Sequence, residues 1–259
     1  AGGWRPASGR ANQPAMKPFL VLQLRPETEA ADDEFAAILA KGGLSEEDVI
    51  RVRLDQADLP DGLDLGDTSG VIVGGGPGCV SDPPGEKSAV EARIETTCLG
   101  LMPEILARDH PFMGCCYGIG ILAHALGGTV SKARHGEPVG TSACRLTPQG
   151  AADPLLAGLP ERWDAFVGHK EAVQALPAQA VHLVTSDACP MQMIRARDNV
   201  YATQFHPEAD AAGFETRIRV YKDRGYFAPE TADDLIAMCR GAEVTVPERI
   251  LARFVARYG

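Results

Sequence analysis

A short apolar run that enters a glycine-flanked cysteine turn is the feature that most constrains the fold of this chain. The run Phe112–Cys115 leads into Gly114-x-Cys116-x-Gly118, and an apolar, helix-compatible stretch follows at once. A strand that turns sharply into a helix in this way presents one side chain at the edge of a sheet. Because Gly114 and Gly118 flank Cys116 without side chains that would collide, Cys116 is the candidate nucleophile, and Cys115 is predicted to point into the core.

Strand-like and helix-like patterns alternate on both sides of this turn. Apolar runs predict strands at 17–25, 48–54, 70–73 and 112–115, and amphipathic stretches predict helices at 31–41 and 87–108, the latter broken near Pro103. Later strands are predicted at 139–146, 163–167, 181–185, 191–196 and 199–205, with a hairpin turn at Asp198-Asn199. The order predicts a single α/β domain with a mostly parallel central sheet and helices on both faces.

Composition narrows the class of protein and its partners. The chain of 259 residues carries a formal charge of -10, which argues against nucleic acid or an anionic membrane as a partner. No apolar run approaches the roughly 20 residues that cross a bilayer. Seven cysteines without regular spacing, and no secretory signal, predict reduced thiols in a cytoplasm. Residues 1–15 are interpreted as a flexible leader, and residues 16–259 as one domain with a C-terminal helical extension packed on the outside.

A cysteine nucleophile needs a base, because its unperturbed pKa is about 8.5. Of the six histidines, His206 is the best candidate, since it ends a predicted strand and Glu208 lies two residues on, where it could fix the imidazole tautomer. The glycine-rich segment 74–78 also follows a predicted strand. The carboxyl ends of parallel strands share one edge of a sheet, so this segment is predicted to lie beside the cysteine turn.

These motifs together carry a family resemblance. Gly114-x-Cys116-x-Gly118 with Gln204-Phe205-His206-Pro207-Glu208 resembles the class I (triad) glutamine amidotransferases, and is closest in pattern to stand-alone domains similar to the glutaminase half of GMP synthase. Gly75-Gly76-Pro77 matches the oxyanion strand of that family, and Gly168–Val173 resembles its His-x-Asp-x-Val segment. The resemblance runs from about residue 17 to residue 208.

The resemblance implies a mechanism and its residues. Cys116 would attack the side-chain amide of glutamine and form a γ-glutamyl thioester, while His206, held by Glu208, would protonate the departing ammonia and activate water. The backbone N–H groups of Tyr117 and of Gly75 or Gly76 would stabilise the oxyanion. A small-molecule amide is the expected substrate, and no cofactor is expected. No metal is predicted, because no Cys/His set has metal-ligand spacing.

Three positions depart from the family pattern. Gly120 stands where the family commonly has a substrate-holding Gln, Cys79 replaces a Ser, and Glu171 replaces an Asp. Gly120, Cys79 and His169 are therefore candidate substrate-binding positions.

The departures leave three hypotheses open. The first is a glutamine amidase, either stand-alone or working with a separate synthetase subunit, because the chain shows no synthetase domain or ATP motif. The second is a γ-glutamyl conjugate hydrolase, which keeps the triad and uses a roomier pocket. The third is a catalytically degenerate binding or regulatory protein.

Overall fold

A nine-stranded sheet forms the centre of the structure, a computed structural model that describes residues 17–259. The leader predicted at 1–15 lies outside the described residues. The strands are β1 Phe19–Gln23, β2 Val49–Arg53, β3 Gly70–Val73, β4 Phe112–Cys115, β5 Thr129–Ser131, β6 Glu137–Leu146, β7 Arg162–His169, β8 Ala172–Ala175, β9 Ala180–Thr185, β10 Met193–Ala196 and β11 Val200–Thr203. The helices are α1 Thr28–Gly42, α2 Ala89–Arg108, α3 Tyr117–Ala125, α4 Pro148–Ala152, α5 Ala211–Tyr221, α6 Ala232–Gly241 and α7 Val246–Tyr258.

The central sheet is mixed, with a parallel part and an antiparallel part. Its order is β2-β1-β3-β4-β11-β10-β9-β6-β7. The first five strands in this order are parallel to one another, and the remaining neighbours are antiparallel. The predicted α/β fold is confirmed, with the parallel strands at its core. A separate two-stranded sheet of β5 and β8 was not predicted, because both strands are too short to show a period.

Both faces of the parallel part are covered by helices, as predicted. In β1, Phe19 and Val21 belong to a core cluster that includes residues of α1 and α7. Their neighbours Leu20 and Leu22 point the other way, into a cluster with residues of α2 and α3. A strand buried on both faces requires an unbroken apolar run, and this is what β1 has. Among residues 17–259, no helix has the length and apolar character to cross a membrane.

Helix α2 continues through Pro103, so the predicted break is wrong. An interior proline removes one helical hydrogen bond and costs about 3 kcal/mol. Pro103 is exposed, whereas Met102 and Ile105 are buried against the sheet on either side of it. Packing of this apolar face outweighs the local cost. The start of the helix is well defined, because the Ser88 hydroxyl accepts a hydrogen bond from the Glu91 N–H and the Glu91 carboxylate accepts one from the Ser88 N–H.

The hairpin between β10 and β11 turns at residues 197–199, one residue longer than predicted.

The C-terminal helical extension does more than cover the outside. After β11 the chain passes into α5, which packs on α1 and α6. The first turns of α5 lie over the carboxyl edge of the parallel strands, next to the cysteine turn, where Phe214 and Arg217 line a cavity with Cys116.

Candidate active site

Cys116 lies at the sharp turn between β4 and α3. Its backbone angles are φ 54° and ψ -86°, a positive-φ conformation that costs a residue with a side chain about 1–3 kcal/mol. The turn is tight enough that a Cβ at Gly114 would lie 2.9 Å from the backbone of Gly118. Cys115 is fully buried in the core, as predicted, while Cys116 is partly exposed. The strained turn therefore presents the Cys116 thiol at the sheet edge.

Strand pairing brings the two sequence motifs together. In the parallel pair of β4 and β11, Cys115 lies opposite Thr203, and the Cys116 N–H donates a hydrogen bond to the Thr203 carbonyl at 2.8 Å. The residues that follow β11 therefore emerge beside the residues that follow β4. As a result, Cys116 and His206 line one cavity of about 50 Å³.

His206 forms a short hydrogen bond to Glu208. The Nδ1 atom lies 2.8 Å from Glu208 Oε1, and both side chains are buried. A carboxylate accepts hydrogen bonds only, so this bond places a proton on Nδ1. No described residue forms a hydrogen bond with Nε2. That nitrogen is therefore free to accept a proton from a neighbouring group.

A buried network of charges supports this histidine–carboxylate pair. Arg217 Nη2 donates to Glu208 Oε1 at 2.9 Å and lies 3.9 Å from Glu34 Oε1. Arg25 Nε donates to the same Glu34 oxygen at 3.1 Å. All four charged side chains are buried. Because an unpaired buried charge is very costly, two arginines and two glutamates stabilise one another here, and they hold Glu208 in place.

The pKa shifts indicate that Cys116 and His206 are both neutral at rest. Burial raises the pKa of the Cys116 thiol to about 12, with Arg25 opposing the shift. Burial also lowers the pKa of His206, a shift that Glu208 only partly offsets. Burial alone would raise the pKa of Glu208, but His206 and Arg217 outweigh it and hold that pKa well below its usual range. The thiol is therefore protonated at rest, and the imidazole beside it is a neutral base.

The glycine-rich segment after β3 lies against the same histidine. β3 pairs with β4 with Val73 opposite Gly114, which confirms that the two glycine-rich segments are side by side. A Cβ at Gly75 would lie 2.7 Å from His206 Cε1, so this position requires glycine. The Gly75 N–H donates to Glu34 Oε1 at 3.1 Å and is not available to an oxyanion.

Two other backbone donors remain open at the site. Within residues 17–259, the Gly76 N–H has no protein acceptor. The Tyr117 N–H is at the first position of α3, where a helix offers it no acceptor. Of the three predicted oxyanion residues, Tyr117 and Gly76 therefore keep a free donor.

Glu171 lies against Gly120. A Cβ at Gly120 would lie 3.0 Å from Glu171 Oε1, so this carboxylate takes up part of the space that a side chain at position 120 would need. The Glu171 carboxylate accepts hydrogen bonds from the Val80 N–H at 2.9 Å, from the Ser81 N–H at 2.9 Å and from the Ser81 hydroxyl at 2.7 Å. Glu171 thus contacts both the 80–81 loop and the position of Gly120.

His169 and Cys79 both lie in the wall of the site. His169 has both ring nitrogens in hydrogen bonds, with Nδ1 2.8 Å from the Glu171 carbonyl oxygen and Nε2 3.0 Å from Glu137 Oε2. Cys79 is buried, and burial together with the Glu171 charge raises its pKa to about 11. Neither residue has a free base or a reactive thiolate.

One set of potential metal ligands occurs in the described part of the chain. Ligand atoms of Glu137, His169 and Cys189 lie within 4.8 Å of one another, and all three residues are buried. Both nitrogens of His169 are already in hydrogen bonds, and burial raises the pKa of Cys189 to about 12. A cation would have to displace the His169–Glu137 bond and a thiol proton. The absence of a metal stays a prediction.

Sequence reasoning missed several residues of the site. Glu34 lies on the apolar stripe of α1 beside Phe35 and Ile38, and a lone carboxylate on a buried stripe could have indicated a partner. Arg217 follows Glu208 by nine residues and has no motif. Gln204 is part of the quoted motif, and its Nε2 lies 4.0 Å from the Cys116 sulfur.

Comparisons with known proteins identify the family of this chain. The sequence profile of the family "Glutamine amidotransferase class-I" matches residues 33–219. Curated relatives include the GMP synthases [glutamine-hydrolyzing] of Thermomicrobium roseum, 34% identical over 139 residues, and of Streptococcus equi subsp. equi, 34% identical over 144 residues. Each match covers 54% of this chain but only 23% and 24% of the relative. The chain thus corresponds to about a quarter of the length of these relatives.

Solved structures share the fold. A glutamine amidotransferase from Thermotoga maritima matches with a TM-score of 0.74 and 20% identity, over 94% of this chain and 99% of that one. A glutamine amido transferase from Methylobacillus flagellatus matches with a TM-score of 0.67 and 22% identity, over 94% of each chain. With the family profile spanning most of its length, this chain belongs to the class I glutamine amidotransferase family.

Proposed function

We propose that this protein hydrolyses the side-chain amide of a glutamine through a Cys116–His206–Glu208 triad and releases ammonia. One observation carries the proposal. His206 is held through Nδ1 by Glu208 at 2.8 Å, its Nε2 has no partner among the described residues, and the residue lines the same cavity as Cys116. A nucleophile, a base and a group that orients the base are the minimum for covalent acyl transfer.

The proton and the bonds balance in two steps. Cys116 Sγ attacks the amide carbon while His206 Nε2 takes the thiol proton, and the same nitrogen returns that proton to the nitrogen that leaves as ammonia. A water molecule then gives a proton to His206 and attacks the thioester, which releases the carboxylic acid and restores the thiol. Because Cys116 and His206 are both neutral at rest, the thiolate–imidazolium pair forms only as the reaction begins. Glu208 stays ionised because its pKa is low, and its negative charge stabilises the imidazolium.

The tetrahedral intermediates carry a negative oxygen that needs fixed donors. The free N–H groups of Tyr117 and Gly76 supply them in this proposal, and each such donor is worth about 2.7–4 kcal/mol. The Gly75 N–H holds the segment instead, through Glu34. Glu34 thus links the oxyanion segment to the arginine that supports Glu208.

A separate synthetase subunit is the proposed consumer of the ammonia. The curated relatives that match are named GMP synthases [glutamine-hydrolyzing], a name that joins glutamine hydrolysis to a synthase and so supports a synthetase as the partner. The seven cysteines are all unpaired, which supports the predicted cytoplasmic location.

The two alternative hypotheses receive less support. Glu171 lies against Gly120, which weakens the argument from the missing Gln side chain that favoured a γ-glutamyl conjugate hydrolase. The intact His206–Glu208 bond and the strained turn at Cys116 argue against a degenerate protein.

Ammonia release from purified protein tests the proposal. We expect release from a glutamine side-chain amide that is abolished in Cys116→Ser and retained in Cys115→Ser. The second variant is the matched control, because the adjacent cysteine is buried in the core. Thermal unfolding of both variants checks that they are folded. Equal activity in folded Cys116→Ser would overturn the proposal.

A further inference from the structure

Little free space lies beside Cys116. The residue lines two cavities, one of about 50 Å³ that it shares with His206 and one of about 30 Å³ on the side of Gly120. A single water molecule needs roughly 10–15 Å³ of such space. Neither cavity therefore holds as many non-hydrogen atoms as free glutamine has. The resting structure leaves the proposed substrate too little room beside the nucleophile.

The side chain of Tyr226 forms part of the wall on both sides of Cys116. It lines both of these cavities and also a third, of about 460 Å³, along the start of α2. Gly76 is the other residue that lines all three, and it has no side chain that could move. Outward movement of the Tyr226 ring would therefore enlarge both cavities beside Cys116 at once.

Tyr226 belongs to a surface segment, residues 222–228, that follows α5. The residues just before Tyr226 are exposed, whereas Tyr226 itself is half-buried. The backbone N–H groups of this segment form one hydrogen bond to a carbonyl, from Arg224 to Tyr221. Gly225, which directly precedes the tyrosine, has φ 72°, a conformation that glycine adopts without strain. Segments with exposed backbone and few hydrogen bonds open at low cost.

Three contacts hold the Tyr226 ring over the site. Its hydroxyl donates a hydrogen bond to the Pro77 carbonyl at 3.1 Å, and Lys170 Nζ lies 4.2 Å from the ring centroid. The ring of Tyr221 packs beside it, with 5.4 Å between the two centroids. The hydrogen bond joins neutral groups and the lysine is exposed, so each polar contact is weak. Contacts of this kind favour the covered arrangement and still allow it to open.

We propose that Tyr226 is a gating residue: its ring covers Cys116 at rest, and residues 222–228 move outward to admit free glutamine. The identity of the substrate rests on the proposed function, whereas the covering of Cys116 does not. The covered site still holds a few waters, and one is enough to hydrolyse the thioester. Such a gate also limits the access of other solutes to the thiol and to the thioester.

Two neutral thiol reagents of different size measure the cover without depending on turnover. Methyl methanethiosulfonate is small, whereas 4,4′-dithiodipyridine carries two aromatic rings, and peptide mass spectrometry gives the rate of each at Cys116. Tyr226→Ala removes the covering ring, so we expect the ratio of the large-reagent rate to the small-reagent rate to rise at least about tenfold. A change in the pKa of the thiol would alter both rates alike and would leave this ratio unchanged.

Tyr258→Ala is the matched control. Tyr258 is also half-buried, and its hydroxyl donates to Asn199 Oδ1 at 2.8 Å, but it lies on α7 at the opposite end of β11 from His206. The ratio in this variant should stay as in the unmodified protein, and thermal unfolding checks that both variants are folded. An equal ratio in folded Tyr226→Ala and in the unmodified protein would overturn the gate.

A diazoketone analogue of glutamine tests whether the gate limits the entry of a molecule with the shape of the substrate. Tyr226→Phe keeps the ring and removes the hydrogen bond to Pro77, so the open state becomes more populated. Apparent affinity rises with the fraction of protein that is competent to bind. We expect labelling of Cys116 at non-saturating concentration to become about two- to tenfold faster, the effect of one lost hydrogen bond. A slower rate would contradict the gate and would make the Tyr226 hydroxyl a substrate contact.

These outcomes are separable from those of the proposed function. Ammonia release from glutamine by the unmodified protein tests the function alone. If no ammonia is released but the reagent ratio still rises in Tyr226→Ala, the cover over Cys116 stands and the proposed function fails. If ammonia is released and the ratio does not change in Tyr226→Ala, the function stands and the gate is wrong.

Discussion

Two buried histidine–glutamate pairs lie near the cysteine turn, and they differ in what their second ring nitrogen does. In one pair His206 Nδ1 lies 2.8 Å from Glu208, and no described residue bonds to Nε2. In the other pair His169 Nε2 lies 3.0 Å from Glu137, and Nδ1 is held by the Glu171 carbonyl oxygen. Burial and a carboxylate partner are common to both pairs, so neither feature distinguishes a base. Of the two histidines, His206 keeps a ring nitrogen without a partner among the described residues, and the proposed function assigns the base to that nitrogen.

The groups around the two histidine–glutamate pairs also differ. Glu208 receives a second hydrogen bond from the Arg217 cation, whereas Glu137 receives one from the neutral Gln192 amide at 2.6 Å. The neighbouring cysteines differ as well. Cys116 is partly exposed on a strained turn, and Cys189 is fully buried. His206 thus lines a cavity with a partly exposed cysteine, and His169 lies in the wall of the neighbouring cavity.

The largest expected effect comes from replacing each histidine with the amide side chain that keeps the donor to its glutamate. His206→Asn keeps a donor in the place of Nδ1 but removes Nε2, and we expect the labelling rate of Cys116 to fall about 10²–10⁴-fold. His169→Gln keeps a donor in the place of Nε2 and loses only the bond to Glu171. One hydrogen bond is worth about 0.5–1.5 kcal/mol, so the rate should fall less than about tenfold. Labelling is followed by intact mass, and equal losses in the two variants would refute the distinction.

Replacing Arg217 tests whether this cation stabilises the His206–Glu208 pair. Arg217→Met leaves Glu208 and Glu34 without their shared cation, and breaking such a buried pair costs about 3–5 kcal/mol of unfolding free energy. Urea denaturation measures this loss. Arg217 also lowers the pKa of His206, so the acid limb of the labelling rate should move to higher pH in the variant. Arg219→Met removes an exposed cation from the same helix and serves as the control, with little expected change in either quantity.

The pH profile of the unmodified protein sharpens the assignment of the base. Burial lowers the pKa of His206 below its ordinary 6.5 and raises that of Cys116 to about 12. A base is active when deprotonated, so the labelling rate should reach its plateau above a midpoint that lies below pH 6.5. If the thiolate formed without His206, the rate would instead keep rising through pH 9 and above.

Metal removal has the smallest expected effect. The Glu137–His169 pair is satisfied by hydrogen bonds, so treatment with EDTA should leave the thermal midpoint unchanged. Zinc analysis of the purified protein should likewise show no stoichiometric metal. If EDTA lowered the thermal midpoint by several degrees and zinc reversed the change, Glu137, His169 and Cys189 would hold an ion. The second histidine–glutamate pair would then be part of a metal site.

The parts of the site that are local in sequence could be predicted, and the parts that depend on packing could not. The turn at Cys116 and the spacing of His206 and Glu208 are short patterns, and parallel strand pairing places them together. Arg217 and Glu34 come from helices far apart in the chain, and their contacts exist only once α1 and α5 pack.

The fold shows the same division between local pattern and packing. Unbroken apolar runs identify the parallel strands, while the continuation of α2 through Pro103 depends on burial of Met102 and Ile105. The contact of Glu171 with Gly120 also depends on packing, because the two residues are distant in the sequence and no local pattern reveals that they meet. Sequence predicted which residues the structure brings together better than it predicted the shape of the pocket around them.

The most direct test of the triad is to map the site of a glutamine-derived diazoketone by peptide mass spectrometry. We predict one adduct per chain, located on Cys116, abolished in Cys116→Ser and retained in Cys115→Ser. Adducts spread over several of the seven cysteines, or an adduct that persists in Cys116→Ser, would contradict the account.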